Sequence, residues 1–505
     1  MRVGILLILL IVSRAHAETP GGVPFNPRIA TAVWTEALTF MAPRTLEAVP
    51  ISQMTVWGLR GLTALDPALL TTQTDGRLRL GTQTRTLYEA AAPQDESAVA
   101  WANTASVMAV AAINVSAAVR RAGTEGIVQS FFDELFNHLD PYSRYVPPEE
   151  AGDDRARRSG RAGLGLTLGQ QGRAVVVRAV IRESPAAIAG LRVGDTITGV
   201  DRKSVRGLDV RTISALLDGP QETAVVVSWR SRDGRARDAE LVREMVPPET
   251  VFSERTANVL TLRITGFSRT TDSHLAEALN EGLTGPRPAT GIILDLRGNR
   301  GGLLRQAVST ADILLPPGVV AITAGRAPEA NYIWRSTAGQ LGADVPVVVI
   351  VDGRTASAAE ILAAALADRG RAVVIGSSTL GKGLVQTIDP LPDGGELFVT
   401  WSRVLAPLGW PIQGLGVLPQ VCTSRGADFL RRTMEALADG IQPMEQELVA
   451  QRLARAPLPS ARVVALRSAC PAAEGRDQDM GTARALLADP VAYSAALMPP
   501  LVDAN

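Results

Sequence analysis

The chain is poor in the residues on which much enzyme chemistry depends. It holds 3 histidines in 505 residues, and one of them, His16, falls in an N-terminal leader pattern. The remaining two, His138 and His274, are too few for a histidine-rich metal site and leave few partners for a Ser-His-Asp triad. There are 2 cysteines, Cys422 and Cys470. In an exported protein such a pair forms a disulfide or stays as two free thiols, and spacing alone does not decide. The formal net charge is 0, so neither nucleic acid nor an anionic membrane is indicated as the main partner. Long apolar runs are also lacking outside the N-terminus, so no integral membrane span is expected in the mature chain.

What the N-terminus does have is Arg2, an apolar run from Val3 to Val12, and Ala15-His16-Ala17. This is the pattern of a secretory leader cleaved after Ala17. No cysteine follows the cleavage point, which argues against a lipoprotein. The expected location is therefore the periplasm or cell envelope. A length of 505 residues exceeds one compact core and predicts two to four domains.

Residues 18–27 are rich in Gly and Pro and read as a flexible lead-in. From about 28 to 150 the apolar spacing is helical, with an alanine-rich helix over 97–122, until LDPYSRYVPPEE breaks the pattern. From about 160 to 246 short strands alternate with two short helices. From about 250 the chain becomes α/β. Unbroken Val/Ile runs such as GIILD and VPVVVIV alternate with helices, which predicts a largely parallel sheet buried on both faces. Beyond Cys422 an Ala/Arg/Leu-rich extension reads as helical and carries no recognisable function.

The chemistry concentrates between Val347 and Gln386. Ser357 stands where a sharp turn after a buried strand enters a helix, and Lys382 stands 25 residues further on, in a glycine-flanked loop after the next strand. A serine hydroxyl is a weak nucleophile and needs a base within reach. Lysine serves only when neutral, and burial beside Leu380, Leu384 and Val385 would disfavour its charged form. A helix start offers N–H donors to an oxyanion, here those of Ser357 and Ala358, and the Gly301-Gly302 turn allows a close backbone approach for a second donor. Two plainer readings compete. Ser357 with Glu360 is also a capping-box pattern. Gly376 to Gly383 nearly matches a phosphate-binding loop, but Gly383 replaces the Ser/Thr that would hold magnesium, and a strand follows where a helix is needed.

The motifs together resemble the C-terminal processing (tail-specific) proteases. The matching residues are Asp295-Leu296-Arg297-x-Asn299-x-Gly301-Gly302, Ala356-Ser357-Ala358-Ala359-Glu360-Ile361, Gly381-Lys382-Gly383-x-x-Gln386 and Pro411-Ile412-Gln413-Gly414-x-Gly416-Val417-x-Pro419, in the family's order across 291–421. Ser184-Pro185-Ala186, Ala189-Gly190-Leu191 and Gly194-Asp195-x-Ile197 resemble a PDZ domain of the circularly permuted type found in bacterial proteases. In that domain Val200-Asp201-Arg202-Lys203 replaces the usual Asn-Gly turn. The core departs from the family at Arg354-Thr355, where a Gly-Ser turn is usual, and at Arg300, where proline is frequent. Neither change removes a catalytic group.

The resemblance implies a multidomain α/β protein: a crotonase/ClpP-like α/β protease core with a PDZ domain and a helical N-terminal region. The expected divisions are a signal peptide at 1–17, the helical region at 18–158, the PDZ domain at 159–247, the serine peptidase core at 248–422 and a helical extension at 423–505. It also implies that Ser357 is the nucleophile, Lys382 the general base and Gln386 the residue orienting the lysine. The backbone of Ala358 with that of Gly301 or Gly302 would form the oxyanion hole, and Glu360 would support the site. Spacing suggests that Gln386 reaches back to Lys382 if both lie on one strand, where i and i+4 share a face. The PDZ loop Gly163-Leu164-Gly165-Leu166 would hold a peptide's terminal carboxylate.

The expected protein is thus an exported serine endopeptidase. It would cleave near the free C-termini of protein or peptide substrates, without metal or other cofactor and without nucleic acid. A homo-oligomer is compatible with the sequence. The alternative is a catalytically silent or latent PDZ-containing scaffold of the cell envelope.

Overall fold

In the computed structural model, residues 24–284, 286–337 and 339–498 are described. The expected leader at 1–17 lies outside them. The chain divides into two compact units, one running through Pro148 and including 388–399, the other formed by Glu149–Thr387 and the chain from Thr400 onward.

The first unit is built on helices Pro27–Met41, Ile51–Leu59, Ala98–Val115 and Ala117–Phe136. Their shared core includes Trp34, Met54, Trp101, Met108 and Phe132. Ser116 ends the alanine-rich helix and caps the next one, its hydroxyl accepting Val119 N–H at 3.2 Å, so the run expected as one helix over 97–122 is two. The sequence pattern also misses a three-stranded antiparallel sheet at Leu70–Thr74, Arg77–Gly81 and Thr86–Ala91. Only Leu78 and Leu80 of its central strand are deeply buried apolar residues, too short an alternation to stand out among helical signals. Helix Ala98–Val115 is long and apolar enough to cross a membrane by length and composition. In this fold it buries Trp101, Ala105, Met108 and Ala112 against its neighbours.

Within the second unit, strands Leu166–Gln171, Ala174–Val180, Thr196–Val200, Ala224–Arg230 and Ala236–Val242 form a small sheet beside helix Val210–Leu217. Asp201 and Arg202 both adopt positive φ, 49° and 62°, in the turn where the PDZ pattern has Asn-Gly. The departure therefore changes the residues and keeps a left-handed turn.

The α/β core is organised on a six-stranded sheet in the order Val251–Thr256, Val259–Ile264, Gly291–Asp295, Val347–Val351, Ala372–Gly376 and Val421–Cys422. The first pair is antiparallel and all the others are parallel. Side chains alternate across a strand, so its Val/Ile runs must be buried on both sides. Val347, Val349 and Val351 pack with helices Thr271–Thr284, Leu304–Leu314 and Ala358–Asp368. Val348 and Ile350, with Ile293, Val373 and Ile375, pack under Leu437, Ala483, Leu486 and Ala492 of the C-terminal extension. The extension therefore supplies the second layer of the core.

A second sheet orders Tyr332–Ser336, Gly318–Gly325, Glu396–Leu405 and Leu384–Pro390. Cys422 and Cys470 are joined as a disulfide.

Candidate active site

Ser357 precedes helix Ala358–Asp368 with φ 58° and ψ −120°. A β-carbon in this region is strained by about 1–3 kcal/mol, a cost the surroundings must offset. Two bonds hold the turn: Ala356 N–H donates to Asn299 O at 2.9 Å, and Leu380 N–H donates to Thr355 O at 2.9 Å. The turn is thereby tied on one side to the Asp295–Gly302 segment and on the other to the lysine loop. Ser357 itself is half-buried, so it is neither sealed in the core nor fully solvated.

Glu360 is the node of the site. It is 0% exposed, yet its carboxylate faces four donors. Oε2 accepts the N–H of Ser357 and the N–H of Lys382, each at 2.8 Å. Oε1 accepts Gly381 N–H at 2.7 Å and the Thr379 hydroxyl. The backbone nitrogens of Ser357 and Lys382 are therefore no further apart than two 2.8 Å bonds laid end to end. Burial pushes the Glu360 pKa up, while the bonds from Thr379, Gly381, Ser357 and Lys382 pull it back. Sequence pattern presents this glutamate as the carboxylate half of a capping box; the fold also uses it to join two loops.

The lysine loop is seated on the Pro411–Pro419 segment. Gly414 N–H donates to Gly381 O at 2.8 Å, Gly383 N–H to Gln413 Oε1 at 2.9 Å, and Val417 N–H to the Thr379 hydroxyl at 2.8 Å. A β-carbon on Gly383 would lie 2.2 Å from Gln413 N, which is why glycine is required there. Lys382 is half-buried. Its apolar setting is narrower than the sequence suggests: Leu384 is buried, but Leu380 is 44% exposed.

Lys382 and Gln386 do not share a strand, because the strand begins at Leu384. The i, i+4 spacing argument therefore does not apply. Gln386 Nε2 donates to Leu384 O at 3.2 Å and to Thr400 Oγ1 at 3.1 Å, which leaves its acceptor Oε1 for a cation.

The glycine turn lies against the serine. A β-carbon on Gly301, at φ 96°, would stand 2.8 Å from Ser357 Cβ and 3.0 Å from Ala358 N. The two glycines differ as donors. Gly301 N–H is already given to Asn299 Oδ1 at 2.8 Å. The N–H groups of Gly302 and Ala358 have no hydrogen-bond partner among the described residues.

In the small sheet's domain, a groove of about 130 Å³ runs between strand Leu166–Gln171 and helix Val210–Leu217. Leu164, Leu166, Leu168, Ile181 and Leu217 line it, with Ser214 at its side. Of the expected loop, Gly163 pairs with Glu244 in a short ladder. Leu164 and Gly165 accept through their carbonyls from Ala186 and Ile181, while their own N–H groups are unpartnered among the described residues. No group of three or more His, Cys, Asp or Glu is placed to hold a metal among the described residues.

Four further residues help to build the site, and of these only Asn299 belongs to a motif quoted from the sequence. Asn299 Oδ1 shapes the glycine turn, and Thr379 ties the lysine loop to Glu360. Asp352 receives bonds from both turns, and Arg467 of the extension donates to Leu415 O at 2.7 Å. Asp352 lies in line with the serine, five residues ahead of it, and its position could have drawn notice. Nothing in the sequence marks Arg467.

Comparison with known proteins gives a consistent picture. Residues 258–423 match the model of peptidase family S41, and residues 176–231 match that of a PDZ domain. The carboxy-terminal-processing protease of Bartonella bacilliformis is 33% identical over 300 residues, covering 58% of this chain and 69% of that protein. The carboxy-terminal processing protease CtpA of Bacillus subtilis is 34% identical over 284 residues, covering 56% of this chain and 60% of that protein. A solved photosystem II D1 C-terminal processing protease is 26% identical, covering 72% of this chain and 92% of that one, with a TM-score of 0.36.

Proposed function

Because the chain belongs to the carboxy-terminal-processing proteases of peptidase family S41, we propose that it is an exported serine endopeptidase cutting near protein C-termini through a Ser357–Lys382 dyad. The observation that carries the reading is the single Glu360 oxygen shared by the N–H groups of Ser357 and Lys382. One buried carboxylate joins the backbones of the two loops, which supports reading Ser357 and Lys382 as partners in one site.

In the proposed reaction neutral Lys382 takes the proton of Ser357 Oγ as that oxygen attacks the peptide carbonyl carbon. The carbonyl oxygen becomes an oxyanion, held by the two unpartnered N–H groups, those of Ala358 and Gly302. Collapse breaks the C–N bond, and the lysine ammonium returns its proton to the leaving amine. Water, deprotonated by the same lysine, then attacks the acyl carbon; the bond to Ser357 Oγ breaks and the lysine returns the proton to that oxygen, releasing the acid and restoring the serine. Gln386, its amide nitrogen anchored on Leu384 and Thr400, offers Oε1 to orient the lysine.

The PDZ groove holds the substrate's tail. The N–H groups of Leu164 and Gly165 take the terminal carboxylate, and the leucine-lined groove takes the last side chain. Export is supported by the leader pattern and by the Cys422–Cys470 disulfide, a bond kept in oxidising compartments.

The test is labelling with a serine-directed fluorophosphonate followed by peptide mapping. The dyad predicts one modified residue, Ser357, and loss of labelling in Lys382→Ala. A chain that stays unlabelled under conditions where it binds tailed peptides is the silent scaffold instead.

A further inference from the structure

The segment Cys470–Asp479 of the C-terminal extension is fastened at both ends to the end of the sheet. Cys470 is bonded to Cys422, and Asp479 Oδ1 accepts the hydroxyl of the next residue, Thr423, at 2.6 Å. Between these ends the segment runs as a strap over the turns that carry the proposed site. Ala473 O accepts Gly353 N–H at 2.7 Å and the Ser377 hydroxyl at 2.9 Å. Arg297 donates to Arg476 O at 2.9 Å while its guanidinium pairs with Asp295.

The strap meets the site through one buried side chain. Asp352 is 4% exposed and ends the strand that leads to Ser357. Its Oδ1 accepts Gly298 N–H at 3.0 Å from the glycine turn, and Arg354 N–H at 3.0 Å and Thr355 N–H at 2.9 Å from the serine turn. Its Oδ2 accepts Gly475 N–H, at 3.2 Å, from the strap. One oxygen thus sets the spacing between the proposed oxyanion donors and the nucleophile, and the other is held by the extension.

We infer that Asp352 is a positioning residue of the reaction, and that the strap Cys470–Asp479 sets its orientation and thereby the rate of acyl transfer at Ser357. The inference rests on the serine–lysine reading above. It follows from chemistry that a carboxylate gripping two turns through one oxygen transmits to them any rotation imposed on the other oxygen. A shift of this kind in an oxyanion donor lowers kcat without changing how the tail is bound.

Two substitutions separate the parts in the full chain. Asp352→Asn keeps an acceptor oxygen for Gly298, Arg354 and Thr355 but turns an amide N–H toward Gly475 N–H, so it breaks only the strap contact. Asp352→Ala breaks both. Each variant is assayed on a tailed peptide, with kcat counted per site titrated by a fluorophosphonate and KM measured alongside. The expected result is a fall in kcat per titrated site of about tenfold for Asp352→Asn and more than a hundredfold for Asp352→Ala, with KM within about twofold. A merely structural role would instead lower the number of titratable sites and leave kcat per site unchanged, and that result overturns the proposal. Wild-type kcat per site in Asp352→Asn alone overturns the strap's part in it. Ser357→Ala serves as the control: turnover surviving there defeats the dyad reading itself, an outcome distinct from either of these.

Discussion

At the scale of single residues, the site rests on carboxylates that are buried and fully engaged. Each Glu360 oxygen meets two donors, so an amide nitrogen at either position would face two N–H or O–H groups. Leaving buried donors unpaired costs about 1–3 kcal/mol each. Glu360→Gln is therefore expected to lower stability by roughly 2–5 kcal/mol in urea unfolding and to cut turnover by at least tenfold. Full activity in that variant would remove Glu360 from the site. A second buried carboxyl, Asp368, lies at the far end of the same helix. Burial raises it to about 6, against the pull of Arg452 and the Trp410 N–H. The folded state thus binds this proton more tightly than the unfolded state, and its contribution to stability grows as pH falls through 6 toward 3.8. The Tm difference between wild type and Asp368→Asn should move in favour of wild type between about pH 7.5 and pH 5; an unchanged difference contradicts the assignment. Ser357, Lys382 and Glu360 stand out in the sequence because their neighbours form short, ordered motifs. Asp352 and Thr379 do not, because what they do depends on which distant N–H groups the fold brings to them.

At the scale of elements, the parallel sheet was legible because Val/Ile runs without polar alternation require cover on both faces. The sequence could not say what provides the second cover. It is the extension beyond Cys422, whose helices bury Ile293, Val348, Ile350, Val373 and Ile375. Burial of such side chains stabilises a fold by about 1.5–3 kcal/mol each, so together they approach the 5–15 kcal/mol that keeps a typical domain folded. A chain ending at Ser424 is expected to be insoluble or to lack a cooperative melt by circular dichroism. A soluble, cooperatively folded product would show the extension to be an appendage. The small sheet at 70–91 escaped notice for the opposite reason: it buries too little apolar surface to impose a period of two on its sequence. The Gln386 spacing argument failed because the strand starts two residues after the lysine, a boundary that glycine-rich loops conceal.

At the scale of the whole molecule, the PDZ groove, the loops of the proposed dyad and the strap come from separate stretches of chain. Contacts distant in sequence hold the serine and lysine loops and the strap, and the disulfide closes the strap's end across a sequence separation of 48 residues. By loop-closure entropy a link of that length stabilises the fold by up to about 4 kcal/mol. Replacing both cysteines by serine should therefore lower unfolding free energy by about 2–4 kcal/mol, read from chemical denaturation. An unchanged midpoint would mean the extension is held by packing alone. The central claim is tested most directly by the steady-state cleavage of a peptide with a free apolar C-terminus by the purified wild-type, Ser357→Ala and Lys382→Ala chains, with circular dichroism to verify the fold of each. The dyad account predicts turnover by wild type and, in both folded variants, loss of at least a thousandfold. Turnover by folded Ser357→Ala or Lys382→Ala at a rate near that of wild type would contradict it.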